Sequence, residues 1–273
     1  MSGGDSGRSG TEHIEASRAP LLDHLIELRT RLIKSMIGFV LAFCVTFYFA
    51  EDIYRFLTQP LADALAGEPG RRLIFTALQE TFFTYIKVAL FGALCLAFPI
   101  IAGQLWMFVA PGLYKDERMA FLPFLAATPV LFLLGASLVF YFIMPVATEF
   151  FLSFEAPGGD GALPIQLEAK VNEYLSLVMT LIFAFGLAFQ LPVALMLMGR
   201  AGLVSSATLA KQRKYAIVGA FAAAAILTPP DPISQIGLGV PIILLYEISI
   251  IGVRLIERKR AAKAASGTDG KTA

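Results

Sequence analysis

The chain has 273 residues, of which 57% are hydrophobic and only 16% are charged, and its formal net charge is +1. A soluble domain carries about 25% charged residues because its surface must be hydrated. The composition therefore excludes an ordinary soluble domain and indicates a chain largely surrounded by lipid. Cys44 and Cys95, which both lie inside apolar runs, are too few for a zinc site or a disulfide framework.

The segment before the first apolar stretch divides into two parts. Residues 1–19 are rich in Gly and Ser and lack apolar periodicity, which predicts a disordered tail. No signal peptide with a cleavage site is visible, so we expect the first span itself to target the chain. Residues 21–29 place their leucines and isoleucine along one face and predict an amphipathic helix. Within it, His24 and Glu27 are too few for a metal site, and a surface pair is the preferred interpretation.

Six apolar stretches follow, and they predict an all-α polytopic membrane protein with six transmembrane helices. A bilayer core of about 30 Å needs about 20 helical residues, because unpaired backbone groups are not tolerated in hydrocarbon. The last two stretches predict a hairpin of short fifth and sixth helices, since the prolines of TPPDP at 228–232 prevent a continuous helix. The predicted spans are 35–50, 88–113, 119–148, 174–199, 215–230 and 232–253.

Prolines inside these stretches predict that the bundle is kinked rather than straight. Each interior proline removes a backbone hydrogen bond and bends its helix. We expect a glove-like bundle with a concave face. The prolines concerned are Pro99, Pro123, Pro129, Pro145 and Pro192.

The distribution of Lys and Arg predicts the orientation. With six spans, the N-terminus, the 110–119 loop, the 200–214 loop and the C-terminus share one side, which carries most of the basic residues. The other side has only the sparsely basic loops 51–80 and 149–172. Basic loops stay in the cytoplasm, so both termini are predicted to be cytoplasmic. The expected division is a disordered tail at 1–19, a membrane domain at 20–254 and a basic, disordered tail at 255–273.

Sequence signatures of catalysis are missing. The chain has no G-x-S-x-G, H-E-x-x-H or Gly-rich phosphate loop, and its two histidines, His13 and His24, lie before the first span. We therefore expect a transport protein and not an enzyme, without a cofactor or a metal.

Polar residues within the apolar stretches are the remaining candidates for function. Gln104, Gln190 and Glu247 are placed where polar groups are costly. The glutamines are equally consistent with hydrogen bonds between helices, and Glu247 with an interfacial position near Arg254. Lys87 lies at the edge of a span, where lysine usually extends toward the interface.

Carboxylates near the membrane on the basic side form a second group of candidates. Asp23 and Glu27 lie on the amphipathic helix, and Asp116 and Glu117 lie in the 110–119 loop. They are suited to a cationic ligand, although ordinary solvated helix ends have the same composition.

Several long motifs resemble the TatC family, the multispanning receptor of the twin-arginine protein translocase. The resemblance extends from about residue 20 to 254. The motifs are HLIELR at 24–29, QLWMFVAPGLY at 104–114 with Glu117 and Arg118, AFG at 184–186 continuing to Pro192, and LTPPD at 227–231.

The resemblance implies a glove-like bundle of six spans in the bacterial inner membrane. It implies a receptor that binds the paired arginines of signal peptides on folded cargo, recruits single-span TatA- and TatB-type partners, and uses the proton-motive force. It also implies that this chain forms a homo-oligomer within a receptor complex. By motif, the signal-peptide site comprises Glu27, Phe108, Glu117 and Arg118. A guanidinium pairs bidentately with a carboxylate, which lysine does not reproduce.

Two further motif positions concern the membrane interior and the outer hairpin. The family commonly has Glu at the position of Gln190, and glutamine does not titrate, which argues against a proton relay there. Contact between Gln190, or Glu247, and a partner's transmembrane helix remains the expectation. The outer hairpin motif comprises Pro229, Pro230 and Asp231.

Two other classes of protein are alternatives. A secondary transporter of a small solute or ion would use a midplane site near Gln190 and Glu247, but it predicts inverted repeats, and none is visible. An intramembrane enzyme lacks a nucleophile, a base and a metal site.

Overall fold

The computed structural model describes residues 6–66, 70–109, 122–156, 158–159, 163–228 and 231–268. Within these ranges the backbone is largely helical. The helices are α1 (Ser6–Tyr48), α2 (Ala50–Ala64), α3 (Glu80–Val109), α4 (Leu122–Leu138), α5 (Met144–Leu152), α6 (Val171–Ala188), α7 (Leu191–Arg200), α8 (Ser206–Lys211), α9 (Arg213–Leu227) and α10 (Pro232–Thr268).

Five helical segments in the described part of the chain are long and apolar enough to cross a membrane. Two of them combine several helices: one joins α4 to α5 through a π-helical turn at Val139–Ile143, and another joins α6 to α7. The five segments are His24–Tyr48, Glu80–Phe108, Pro123–Leu152, Val171–Arg200 and Pro232–Ala262.

The fifth predicted span corresponds to α9, which has only 15 residues and agrees with the expectation of a short helix. The prediction of a short sixth helix is wrong, because α10 has 37 residues. After Val253 the sequence RLIERKRAAKAA consists mainly of strong helix formers, so the helix continues beyond the apolar stretch. Helix α10 thus extends into the segment predicted as a C-terminal tail, and α1 begins within residues 1–19. The division into a membrane domain and two tails stays a prediction.

The largest buried cluster lies where α2, α3, α6 and the π-helical turn meet. The side chains of Val88, Val139, Leu175, Val178 and Phe185 are fully buried there. Helix α1 packs on α3 through the small residues Ala42, Ala93 and Ala97, which permit close approach of the two helices. Helix α10 packs on both α7 and α9.

Prolines mark two of the interruptions in the long segments. Pro192 lies in the first turn of α7, directly after the break that ends α6. Pro145 lies in the first turn of α5, directly after the π-helical turn. By contrast, Pro99 and Pro129 lie inside α3 and α4 without ending them.

The two segments 70–80 and 153–171 meet at one end of the bundle, which we call the outer end. Backbone N–H groups of Ile74 and Val171 donate to the carbonyls of Ala169 and Ile74 at 3.1 and 3.0 Å. The Arg71 guanidinium pairs with both carboxylate oxygens of Glu155, with Nη1 2.6 Å from Oε1. These contacts join two segments that are remote in sequence.

Candidate functional site

Four side chains meet at the opposite end of the bundle, the inner end, where α1 crosses the last turn of α3. We call His24, Glu27, Arg31 and Phe108 the inner cluster. The rings of His24 and Phe108 stack with centroids 4.3 Å apart and an interplanar angle of 18°. Helix periodicity places His24, Glu27 and Arg31 on one face of α1, three and four residues apart.

The Glu27 carboxylate occupies the centre of this cluster. Arg31 donates from Nε to Glu27 Oε1 at 3.0 Å, and its Nη2 donates to the same oxygen. The second oxygen, Oε2, lies 4.0 Å from Nδ1 of His24. The Glu27 side chain keeps 33% of its surface exposed, so a ligand arriving from the surface has access to it.

The other two residues predicted for this site lie outside the described residues. Glu117 and Arg118 belong to residues 110–121, which connect α3 to α4. The structure therefore brings together Glu27 and Phe108 through His24, and a shared ligand of Glu27 and Glu117 stays a prediction. His24 and Arg31 were not predicted as site residues. The available signal was their i−3 and i+4 spacing from Glu27.

Gln190 lies at the break between α6 and α7. Its Nε2 donates to the carbonyl oxygens of Thr128 and Gly186 at 3.0 and 3.3 Å. The amide therefore links α4 to the end of α6, as expected for a hydrogen bond between helices. Its buried Oε1 has no hydrogen-bond partner among the described residues.

Glu247 of α10 forms an ion pair with Arg213, the first residue of α9. Nη2 of Arg213 donates to Oε2 at 2.8 Å, and its Nε lies 2.7 Å from Oε1, so the guanidinium contacts both carboxylate oxygens. The side chains are 49% and 39% exposed, so this carboxylate is a paired group near the surface and not an isolated buried charge. Sequence reasoning did not identify Arg213 as its partner.

The outer hairpin motif is described only at Asp231, because Pro229 and Pro230 lie outside the described residues. Asp231 is 5% exposed, and its Oδ1 accepts a hydrogen bond from the backbone N–H of Ser234 at 2.7 Å. It thus caps the start of α10, where backbone N–H groups have no partner within the helix.

A cavity of about 630 Å³ lies between α6, α7, α9 and α10. Its lining is mainly Ala and Leu, with polar atoms contributed by Gln212, Tyr215 and Tyr246. Gln190 and Glu247 are not part of this lining. Gln190 hydrogen-bonds to α4 and α6, whereas Glu247 pairs with Arg213 of α9. In the described part of the chain, these two side chains therefore do not line a common solute site.

Comparison with known proteins gives consistent matches over most of the chain. The family model for the Sec-independent protein translocase protein TatC matches residues 23–241. A Sec-independent protein translocase protein TatC from Magnetococcus marinus is 52% identical over 249 residues, which are 91% of this chain and 89% of that protein. The protein of the same name from Escherichia coli K12 is 40% identical over 231 residues, 85% of this chain and 86% of that protein.

Solved structures show the same similarity. A crystal structure of the twin-arginine translocase receptor TatC aligns with a TM-score of 0.73 and 37% identity, covering 86% of this chain and 99% of that one. A second crystal structure of this receptor, in the detergent DDM, aligns with a TM-score of 0.72 and 38% identity, covering 84% of this chain and 98% of that one.

Proposed function

Since this chain belongs to the TatC family and is a receptor subunit of the twin-arginine translocase, we propose that its inner cluster binds the paired arginines of signal peptides on folded cargo. The chain is a multi-pass membrane protein that acts in protein transport and is not an enzyme. The observation that carries the proposal is the partly exposed Glu27 carboxylate, which already binds a guanidinium, that of Arg31. The geometry of the site thus suits the chemical group that the signal peptide presents.

A second carboxylate is needed if two arginines are to bind together. Phe108 lies one residue before the end of α3, so residues 110–121, which include Glu117 and Arg118, directly follow the inner cluster in sequence. We propose that Glu117 receives the second guanidinium and that Arg118 lies nearby. Phe108 and His24 supply a stacked aromatic surface beside Glu27, on which a planar guanidinium packs well.

The test is binding of a twin-arginine precursor to membranes that contain Glu27→Gln or Glu117→Gln, measured by site-specific crosslinking from residues 110–119. A hydrogen bond to a charged group contributes about 1.5–3 kcal/mol, so each change should weaken binding, by at most about one to two decades. Glu51→Gln is the matched control, because Glu51 of α2 also pairs with an arginine four residues later. Undiminished crosslinking in both Glu27→Gln and Glu117→Gln would refute the assigned site.

We also propose the six-span topology, in which α9 is the fifth span and both termini are cytoplasmic. The inner end is then the cytoplasmic face, and the Arg71–Glu155 contact lies on the opposite side of the membrane. The described basic residues at the end of α10 support this orientation, because Arg254, Arg258, Lys259 and Arg260 are exposed there. Cysteine labelling at position 258 from either side of the membrane tests it, and labelling from outside would contradict it.

Partner binding forms the last part of the proposal. TatA- and TatB-type single-span proteins would associate with this subunit, several copies of which form the receptor complex, and the proton-motive force would drive export. Gln190 or Glu247 would contact a partner's transmembrane helix. The variant Gln190→Leu tests this for Gln190: if export and partner crosslinking are unchanged, Gln190 acts only in packing between α4 and α6.

A further inference from the structure

The carboxylate proposed to bind the signal peptide is already occupied by a cation of the same chain. Arg31 directs two N–H groups, from Nε and Nη2, at the single oxygen Oε1 of Glu27. Any guanidinium that approaches Glu27 from the surface must therefore displace Arg31 or share the carboxylate with it.

This pair differs from an otherwise similar pair in the same protein. Glu51 and Arg55 of α2 have the same residue types and the same spacing, but their side chains are 64% and 71% exposed. Glu27 and Arg31 are only 33% and 21% exposed. Arg31 is therefore held against the protein surface at the site, whereas Arg55 extends into the surroundings.

We propose that Arg31 is an internal competitor for the signal peptide, which occupies Glu27 in the empty receptor and is exchanged for an arginine of the peptide. This inference rests on the proposed function, since it requires Glu27 to bind the peptide. The exchange replaces one guanidinium by another, so the half-buried carboxylate is paired both before and after binding. A carboxylate left without a partner at such a position is costly.

The competition has a functional consequence for selectivity toward cargo. A single basic side chain gains little at Glu27, because it must first displace a guanidinium of equal charge that is tethered beside the carboxylate. Only a ligand that gains additional contacts at the same time, such as a second arginine, binds with a net advantage. Arg31 thus raises the threshold for binding of isolated basic residues.

The variant Arg31→Gln in the full-length chain, in nanodiscs, tests this with a fluorescent twin-arginine signal peptide. An ion pair that stays partly exposed contributes only modestly to stability, so loss of the competitor should raise the affinity about two- to fivefold. Arg31→Lys keeps the charge and should change the affinity less. Arg31→Met, which keeps the aliphatic stem, provides a second neutral variant, and Arg55→Gln is the control that removes the matched pair of α2.

The direction of the effect decides the outcome. Unchanged or weaker binding in both Arg31→Gln and Arg31→Met would overturn the competitor role and leave Arg31 as a residue that orients Glu27. An equal rise for a peptide whose two arginines are replaced by glutamine would overturn it as well, because such a peptide has no cation for Glu27.

A double-mutant cycle separates this inference from the proposed function. In a Glu27→Gln background, Arg31→Gln should no longer change the affinity, since the two changes act on one contact. If Glu27→Gln alone leaves the affinity intact, the proposed site itself is wrong. If Glu27→Gln weakens binding but Arg31→Gln does not strengthen it, only the competitor role is wrong.

Discussion

The contact between α4 and α6 at Gly186 gives a stability prediction whose magnitude follows from the structure. A Cβ added at Gly186 would lie within 2.8 Å of three ring carbons of Phe132. That ring is 2% exposed and stacks on Phe98 at a centroid distance of 4.2 Å, so it has little room to move. Overpacking of a core costs about 1–3 kcal/mol, and Ala gains about 1 kcal/mol over Gly in a helix. We expect Gly186→Ala to lower the free energy of unfolding by up to about 2 kcal/mol.

Thermal unfolding of the purified chain in detergent measures this effect. Gly219 of α9 is the matched control, because a Cβ there meets nothing within 4 Å. Gly219→Ala should therefore stabilise the chain by up to about 1 kcal/mol. Adding Phe132→Leu to Gly186→Ala should restore part of the lost stability by making room for the methyl group. The reasoning is refuted if Gly186→Ala is as stable as Gly219→Ala.

Two ion pairs give further predictions. The hydrogen bond from Arg71, together with the backbone N–H of Leu167, lowers the pKa of Glu155 to about 2 from an ordinary 4.5. The pKa of Glu155 is lower in the folded chain than in the unfolded chain. The stabilisation that this carboxylate gives to the folded chain is therefore complete above pH 4.5 and is lost as the pH falls toward 2. Glu155→Gln should therefore have a lower melting temperature than the parent chain at pH 7, and this difference should shrink below pH 3. A difference in melting temperature that does not depend on pH would contradict this. For the exposed pair of Arg213 and Glu247, a double-mutant cycle should give a coupling of only about 0.2–1 kcal/mol, and a value several-fold larger would show that the pair is buried in the working protein.

The sequence predicts the apolar helices well, because lipid excludes charged residues from long stretches of helix. The short fifth helix follows in the same way, since Lys214 precedes and the proline motif follows its apolar stretch. The length of α10 does not follow, because the end of an apolar stretch marks the membrane boundary and not the end of the helix. Residues such as Ala261 and Lys263 continue the helix through their intrinsic propensity, which hydropathy does not report.

Without the family motif, which named Phe108, the site was predictable only where its members are close in sequence. The motif HLIELR contains His24 and Glu27, and helical spacing alone places Arg31 beside them. The stacking of His24 on Phe108 depends on the packing of α1 against α3, which no local pattern encodes. The partner of Glu247 was missed for the same reason, because Arg213 is 34 residues away in sequence. The contact of Lys87 with Asn172, at 2.6 Å, likewise joins two segments that only the fold brings together.

The direction of the hydrogen bonds of Gln190 predicts how this position would respond to the Glu that the resemblance to the TatC family led us to expect there. The Nε2 group donates to two carbonyl oxygens, those of Thr128 and Gly186. A carboxylate has no proton to donate, so in Gln190→Glu it would face both acceptors with a negative charge, whereas a protonated carboxyl could donate to one of them. The penalty should therefore grow as the pH rises. We expect the melting temperature of Gln190→Glu, relative to the parent chain, to be lower at pH 8 than at pH 5, while the deficit of Gln190→Leu stays constant. A deficit of Gln190→Glu that is equal at both pH values would contradict this account. If the pH dependence is found, the amide serves at this helix break as a permanent substitute for a protonated carboxyl, and this chain keeps the link between α4 and α6 without a titratable group.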